Sequence, residues 1–260
     1  MSDFQTMLLV TTIAGAITGV GALPVFFRAN VSHRVYDGAL GLAAGIMIGA
    51  SVFGLILPGM EEGTLASVMV GVFIGGLTLL VGNRLIPHLH GEYAGWRGEG
   101  ASLENDPEEA TQIRRAILIG GAIVLHNAPE GLAIGVAFAV GLEDVAFLLA
   151  IVIGIQNVPD GFAFAVPVAE TGISNAKVLV YTTLSGLLPQ VGAATFGFFL
   201  VAVATGIFPV AAGFAAGAMM AVVFREMIPS SHGHGYADAA TLAFLIGFAI
   251  LVVVDEALVV

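Results

Sequence analysis

The sequence predicts an all-α integral membrane protein with eight transmembrane helices, inverted pseudo-symmetry and both termini on the outer side of the membrane. Composition is the first observation behind this prediction, because 58% of the residues are hydrophobic and only 10% are charged. A soluble domain has about 45–50% apolar and about 25% charged residues. A water-soluble core of 260 residues could not bury so much apolar surface, whereas membrane spans of about 20 residues each could.

Eight apolar segments, the second observation, are long enough to form these spans. They are Phe4–Phe27, Ala39–Pro58, Leu65–Ile86, Ala116–Val140, Val145–Val168, Val178–Val203, Ile207–Phe224 and Ala239–Val254. One long polar and acidic connection, residues 87–115, separates the third span from the fourth. We therefore expect a single transmembrane domain over residues 1–260, with 87–115 as a cytoplasmic loop between the third and fourth helices.

The positions of the basic residues, the third observation, agree with this map. All eight lie at alternate connections: Arg28, Arg34, Arg84, Arg97, Arg114, Arg115, Lys177 and Arg225. The opposite side carries only acidic charges: Asp3, Glu61, Glu62, Glu143, Asp144, Asp255 and Glu256. Since basic loops stay in the cytoplasm, both termini are predicted to lie outside. The start of the chain lacks the basic region of a cleavable signal peptide.

Charge and cysteine content limit the partners and the ligands. The net charge of -11 argues against a nucleic acid partner and favours attraction of cations. Cysteine is absent, so a metal ion would bind through imidazole, carboxylate, amide, thioether or backbone oxygen. The expected partners are therefore the lipid bilayer and a divalent metal ion.

Two adjacent spans carry polar side chains at mid-membrane. The fourth span contains LHNAPEG and the fifth contains IQNVPDG, 30 residues apart. The polar side chains in them are His126, Asn127, Glu130, Gln156, Asn157 and Asp160. Consecutive helices run antiparallel, so the two motifs form an inverted pair that meets at the midplane, an arrangement typical of transporter binding sites.

These six side chains form a plausible ligand set for a metal ion. Residues three and four apart on a helix share a face. One imidazole, two carboxylates and several amide oxygens suit Zn, Fe, Mn, Co or Cd ions. Asn and Gln side chains within spans also form hydrogen bonds between helices. An acid at mid-span, however, costs about 2.5–3.5 kcal/mol to insert, which packing alone does not explain.

Further candidates lie at the cytoplasmic end of the seventh span. Glu226 follows Arg225 and is either a metal ligand or the ion-pair partner of that arginine. His232 and His234 come next in the chain and would receive an ion that leaves the midplane site. The sequence therefore predicts His232 and Glu226 as additional metal-contacting residues.

These motifs resemble those of the Zrt/Irt-like (ZIP) divalent metal transporter family, especially its bacterial GufA-like subgroup. HNAPEG and QNVPDG carry the resemblance, together with AAGIMIGASVFGLILPGMEE in the second span and AAGAMMAVVFREMIPSSH in the seventh. The resemblance covers essentially the whole chain. It implies uptake of zinc, or of Cd, Fe or Mn, into the cytoplasm as the transported substrate rather than as a cofactor. It also implies an elevator-like movement and a homodimer.

The resemblance also assigns the ligands by motif position. It implies a primary site formed by His126, Glu130, Gln156 and Asp160, with Asn127 and Asn157 in a neighbouring second site. This chain departs from the family pattern in two places. Many members have His where Gln156 stands, and in LSGLLPQVGA the usual Glu followed by Pro is replaced by Pro189 and Gln190. The second site has therefore lost a carboxylate.

The expected function is divalent-metal transport in the cell inner (plasma) membrane by a multi-pass protein that is not an enzyme. Two alternatives stay open on the sequence alone. One is an intramembrane zinc metalloenzyme, although the HExxH motif is absent. The other is an efflux carrier of the same geometry.

Overall fold

The computed structural model describes residues 2–27, 32–96, 127–169, 172–204 and 206–258. Within these ranges the regular secondary structure is entirely helical, and it forms eight helices. They are α1 (Asp3–Phe26), α2 (His33–Glu61), α3 (Leu65–Trp96), α4 (127–139), α5 (Glu143–Ala169), α6 (Asn175–Val203), α7 (Phe208–Ser231) and α8 (Ala237–Leu258). The first half of the predicted fourth span, including His126, lies outside the described residues, as do residues 97–115 of the predicted loop.

All of these helices except α4 contain a stretch that is long and apolar enough to cross a membrane. Their outer faces carry large apolar side chains, such as Phe73 and Leu77 on α3, which are 69% and 59% exposed. A soluble protein rarely presents continuous apolar surface of this kind, whereas lipid solvates it. The all-α membrane fold is confirmed to this extent, and the exact number of spans and the orientation of the termini stay predictions.

Helix α3 is longer than the sequence indicated. It continues through Pro87 to Trp96, so the first ten residues of the connection predicted at 87–115 are helical. At about 1.5 Å per residue, the 32 residues of α3 extend about 48 Å, which exceeds the hydrocarbon thickness of about 30 Å. A helix satisfies its own backbone hydrogen bonds and can therefore project beyond the bilayer at little cost.

A tight turn joins the two helices that carry the paired motifs. Helix α4 ends at residue 139, and α5 begins at Glu143. Gly141 in the turn has a φ of 79°, a left-handed conformation that glycine adopts without steric penalty. The amide N–H of Leu142 donates to the carbonyl of Ala137 at 3.1 Å. A connection this short makes α4 and α5 an antiparallel hairpin, as the inverted motifs predict.

Helices α2 and α7 share an internal irregularity. Each contains a π-helical segment, Ala50–Ile56 in α2 and Val223–Met227 in α7. Each segment runs into a proline, Pro58 or Pro229. Proline lacks the N–H for an α-helical hydrogen bond and clashes with the carbonyl four residues earlier, so the preceding turn widens.

The helices fall into two packed groups. Helix α2 packs against α8 and α3 packs against α7, while α1 packs against α5 and α6. Helix α4 joins this second group, because Gly131 and Gly135 face the backbone of α6 at Gln190 and Ala194. The buried polar residues of the two motifs therefore lie inside a bundle formed by α1, α4, α5 and α6; they are Asn127, Glu130, Gln156 and Asn157.

Candidate metal centre

The carboxylate of Glu130 lies at the centre of the α1, α4, α5 and α6 bundle. Its side chain is 0% exposed, and each of its oxygens accepts a hydrogen bond from a glutamine. Gln156 of α5 donates through Nε2 to Oε1, and Gln190 of α6 donates through Nε2 to Oε2 at 2.6 Å. A charged group is tolerated in an apolar interior only when it is hydrogen-bonded or paired. Two charge-assisted hydrogen bonds therefore hold Glu130 in place.

Asn157 extends this network to the first helix. Its Nδ2 donates to the backbone carbonyl of Ala14 in α1 at 2.8 Å and to Oε1 of Gln190 at 3.3 Å. Gln190 thus accepts from Asn157 through one end of its amide and donates to Glu130 through the other. Because an ionised carboxylate can only accept hydrogen bonds, these contacts also determine which end of the Gln190 amide faces Glu130.

Two amide oxygens in the cluster have no hydrogen-bond partner among the described residues. They are Oε1 of Gln156 and Oδ1 of Asn157, and both atoms are buried. Buried acceptors are normally satisfied, so each exception needs an explanation. Together with the Glu130 carboxylate, these oxygens form a set of hard and borderline donors that suits a divalent cation.

Two glycines bring the backbones close enough for these contacts. A Cβ atom at Gly131 would lie 2.1 Å from the backbone oxygen of Gln190, and one at Gly161 would lie 1.9 Å from the backbone oxygen of Thr18. Any larger residue at either position would separate the helices. Gly131 and Gly161 therefore permit close helix approach, with α6 and α1 as the respective partners.

The remaining predicted ligands of α4 and α5 lie along the same helices. Asn127 is buried and donates through Nδ2 to the backbone oxygen of Ser185 in α6 at 3.4 Å. Asp160 is half-buried, one turn after Gln156 and Asn157. Among the residues described, no three His, Asp or Glu side chains form a cluster that would hold a metal ion. The contacts of Glu130 given above are with amides, and His126 is outside the described ranges.

The candidates on α7 occupy a different region of the chain. Glu226 is half-buried within the π-helical segment Val223–Met227, a type of irregularity that is frequent at functional sites. His232 is exposed in the turn after α7. Its Nδ1 lies 2.9 Å from the carbonyl oxygen of Ile228 and 3.0 Å from Oγ of Ser231, so these contacts stay within its own turn.

Two features of the structure were missed in the sequence. The first is Gln190, which the family resemblance placed only at the usual proline position, next to the lost carboxylate. A proline followed by a polar residue occurs three times at a spacing of 30 residues, and Gln190 is in the third pair. The pairs are Pro129-Glu130, Pro159-Asp160 and Pro189-Gln190. A threefold repeat at this spacing would have predicted Gln190 at the same depth.

The second feature is a buried carboxylate at the start of α2. Asp37 is 0% exposed, and its Oδ1 lies 2.7 Å from Nδ1 of His234 in the turn between α7 and α8. The ring of His33 stacks on that of His234 with a centroid separation of 4.3 Å. Oδ2 of Asp37 is buried and has no hydrogen-bond partner in the described part of the chain. His234 therefore ties the α7–α8 turn to α2.

Comparison with known proteins gives a consistent result. The family model described as "ZIP Zinc transporter" matches residues 87–255. The chain is 35% identical to Zinc transporter GufA of Myxococcus xanthus, over 96% of this chain and 98% of that protein. It is 36% identical to Zinc transporter ZIPB of Bordetella bronchiseptica, over 94% and 78% of the two chains. It is 29% identical to Zinc transporter ZIP11 of Homo sapiens, over 99% and 98%.

Proposed function

We propose that this chain, which belongs to the ZIP zinc transporter family, moves divalent transition-metal ions across a lipid bilayer. The family predicted from the HNAPEG and QNVPDG motifs is thereby confirmed. The relatives are named as transporters, which also confirms the prediction that the chain is not an enzyme. Their names favour zinc as the principal substrate, and Cd, Fe and Mn are the related ions that we expect the same site to accept.

The observation that carries the proposal is the fully buried carboxylate of Glu130 and two buried amide oxygens, on Gln156 and Asn157, that have no hydrogen-bond partner among the described residues. An apolar bundle gains nothing from this arrangement, because each unsatisfied polar group costs free energy. A divalent cation that passes through would offset the charge of Glu130 and satisfy both amide oxygens. The proposed binding site therefore lies between α4 and α5, with α6 closing one side.

The charges of the site suit a dication. Glu130 and Asp160 together offer two negative charges, which neutralise one divalent ion and reduce the cost of removing it from water. We propose His126 and Asn127 of α4, and Gln156 and Asn157 of α5, as the neutral ligands that replace its hydration shell. Glu226 and His232 are proposed as contacts on the way out.

The proposed direction of transport is inward across the inner (plasma) membrane. Ions would collect at exposed acidic side chains at the predicted outer ends of the helices, which are Glu61, Glu62, Glu143 and Asp144. They would leave past the α7–α8 turn, which carries His232 and His234, on the predicted cytoplasmic side. Residues 1–260 act in this proposal as a single transmembrane domain, and a homodimer is its expected assembly.

Liposome reconstitution tests the proposal. Influx of Zn, Cd, Fe and Mn would be measured for the wild type and for the Glu130→Ala and Asp160→Ala variants, with and without a pH gradient. We expect wild-type influx of zinc and loss of influx in both variants at unchanged insertion. Glu256→Gln, which removes an exposed carboxylate outside the proposed path, serves as the control with near-normal influx. Unimpaired zinc influx in both Ala variants would refute the site, and net efflux alone would refute the direction.

A further inference from the structure

We infer that Gln190 is a positioning residue of the ion site: its amide holds Glu130 and orients the Asn157 amide so that amide oxygens, rather than N–H groups, remain available to the cation. The inference rests on the proposed function and concerns a residue of α6, outside the two paired motifs. It starts from the two contacts of the Gln190 amide. Nε2 donates to Oε2 of Glu130 at 2.6 Å, and Oε1 accepts from Nδ2 of Asn157 at 3.3 Å.

These two contacts assign the orientation of each amide in turn. Glu130 accepts, so Gln190 must present its NH2 group to it. Oε1 of Gln190 then faces Asn157, which must present its own NH2 group. The oxygen of Asn157 is consequently the atom left over, and it is the buried oxygen without a partner among the described residues. The same reasoning applies to Gln156. Its NH2 group donates to Oε1 of Glu130, so the amide oxygen of Gln156 takes no part in that contact.

The surroundings of Gln190 are shaped to hold this conformation. Its side chain is fully buried. A Cβ atom at Gly15 of α1 would lie 2.9 Å from Oε1 of Gln190, and a Cβ atom at Gly131 of α4 would lie 2.1 Å from its backbone oxygen. Two helices thus approach Gln190 as closely as glycine allows, which limits the room for its amide to rotate. A side chain fixed in this way is suited to positioning its neighbours.

Gln190 can keep its hydrogen bond while an ion is present. A carboxylate has about four lone-pair sites, and Gln156 and Gln190 each occupy one of those on Glu130. A hydrogen bond from Gln190 and a contact with a cation can therefore share this carboxylate. Because Gln190 is neutral, the proposed site carries the two negative charges of Glu130 and Asp160, which match one dication.

Two substitutions at position 190 separate positioning from simple packing. Gln190→Leu keeps an apolar side chain of similar size but removes both hydrogen bonds. Loss of a charge-assisted hydrogen bond to Glu130 should raise the KM for zinc influx about tenfold, with little change in Vmax. Gln190→Glu keeps the size of the side chain and the oxygen that accepts from Asn157, but its carboxylate has no N–H group to donate and repels Glu130. This variant should therefore also raise KM, by at least as much as Gln190→Leu, with an unchanged number of cadmium ions bound per chain.

The test uses the full-length protein. Influx of zinc into proteoliposomes gives KM and Vmax, and isothermal titration with cadmium in detergent gives the stoichiometry relative to wild type. Thr195→Val is the matched control, since within the described part of the chain the Thr195 hydroxyl donates to the carbonyl of Val191 in its own helix at 2.8 Å. A raised KM in both Gln190 variants, with an unchanged control and a wild-type Tm, would support the inference. A loosened fold would lower Tm as well.

Two other results have different meanings. If both Gln190 variants keep the wild-type KM, or raise it only together with a lower Tm, the positioning role is overturned while transport itself stands. If the wild type carries and binds no divalent ion, the proposed function fails first, and the inference about Gln190 fails with it.

Discussion

Replacing Glu130 by glutamine removes one negative charge from the centre of the bundle and leaves the length and shape of the side chain almost unchanged. The variant should still fold. Its new amide oxygen can accept from Nε2 of Gln190, as the carboxylate does now. Its new NH2 group would face Gln156, whose own oxygen has no partner in the described ranges. A rotation of the Gln156 amide would therefore restore a hydrogen bond at that side.

The effect on ion binding should be much larger than the effect on folding. Two unit charges 4 Å apart interact by about 4 kcal/mol at an effective dielectric constant of 20, so a dication gains about 8 kcal/mol from one carboxylate at that distance. The cost of removing the carboxylate from water offsets part of this favourable energy. Removing one member of a buried charge pair typically costs about 2–5 kcal/mol. Even the lower figure corresponds to about a 30-fold loss of affinity.

Zinc influx into proteoliposomes and cadmium titration in detergent measure this loss, and thermal unfolding measures the fold. We expect a cadmium Kd at least about 30-fold higher than in the wild type, negligible zinc influx and a Tm close to that of the wild type. Glu256→Gln makes the same chemical change on an exposed carboxylate and should leave Kd nearly unchanged. Wild-type cadmium affinity in a folded Glu130→Gln protein would refute the reasoning.

Two further substitutions test the packing around the site and the contact at the α7–α8 turn. Gly131→Ala places a Cβ 2.1 Å from the backbone oxygen of Gln190. It should lower the free energy of unfolding by about 1–3 kcal/mol and reduce zinc influx. Thermal unfolding and zinc uptake measure these two effects. Gly192→Ala, whose Cβ would meet no atom within 4 Å, is the control and should be neutral in both assays. His234→Ala removes the hydrogen-bond partner of the buried Asp37 and should lower Tm. In the double variant, Asp37→Asn should recover most of the lost Tm, because no buried charge is then left unpaired. Equal Tm values for the single and double variants would contradict that explanation.

Local patterns in the sequence were sufficient to predict the helices and the residues of the paired motifs. Apolar segments of bilayer length predict spans directly, and the shared order of Asn, Pro, acid and Gly predicts two equivalent helices. The end of α3 was placed ten residues too early, because Pro87 and the polar residues after it suggested a connection. The widened turns before Pro58 and Pro229 were not predicted, because a proline in a sequence does not distinguish a π-helical segment from a kink.

Contacts between distant helices could not be predicted in the same way. Gln190 lies 60 residues from Glu130, and the periodicity of α6 does not reveal which of its faces meets α4. Asp37 lies 197 residues from His234, so their contact depends on the packing of α2 against the α7–α8 turn. Side-chain burial and the orientation of the amides likewise follow from tertiary packing. A polar residue in a span identifies a candidate, and only the packing of the bundle identifies its partner.

Anomalous diffraction from crystals soaked with zinc or cadmium tests the central claim most directly. The account predicts one strong peak within about 2.0–2.3 Å of a carboxylate oxygen of Glu130, with the amide oxygen of Gln156 or Asn157 turned towards it. A peak confined to the acidic surface or to the His232–His234 turn would contradict the account if Glu130 kept both glutamine hydrogen bonds and bound no ion.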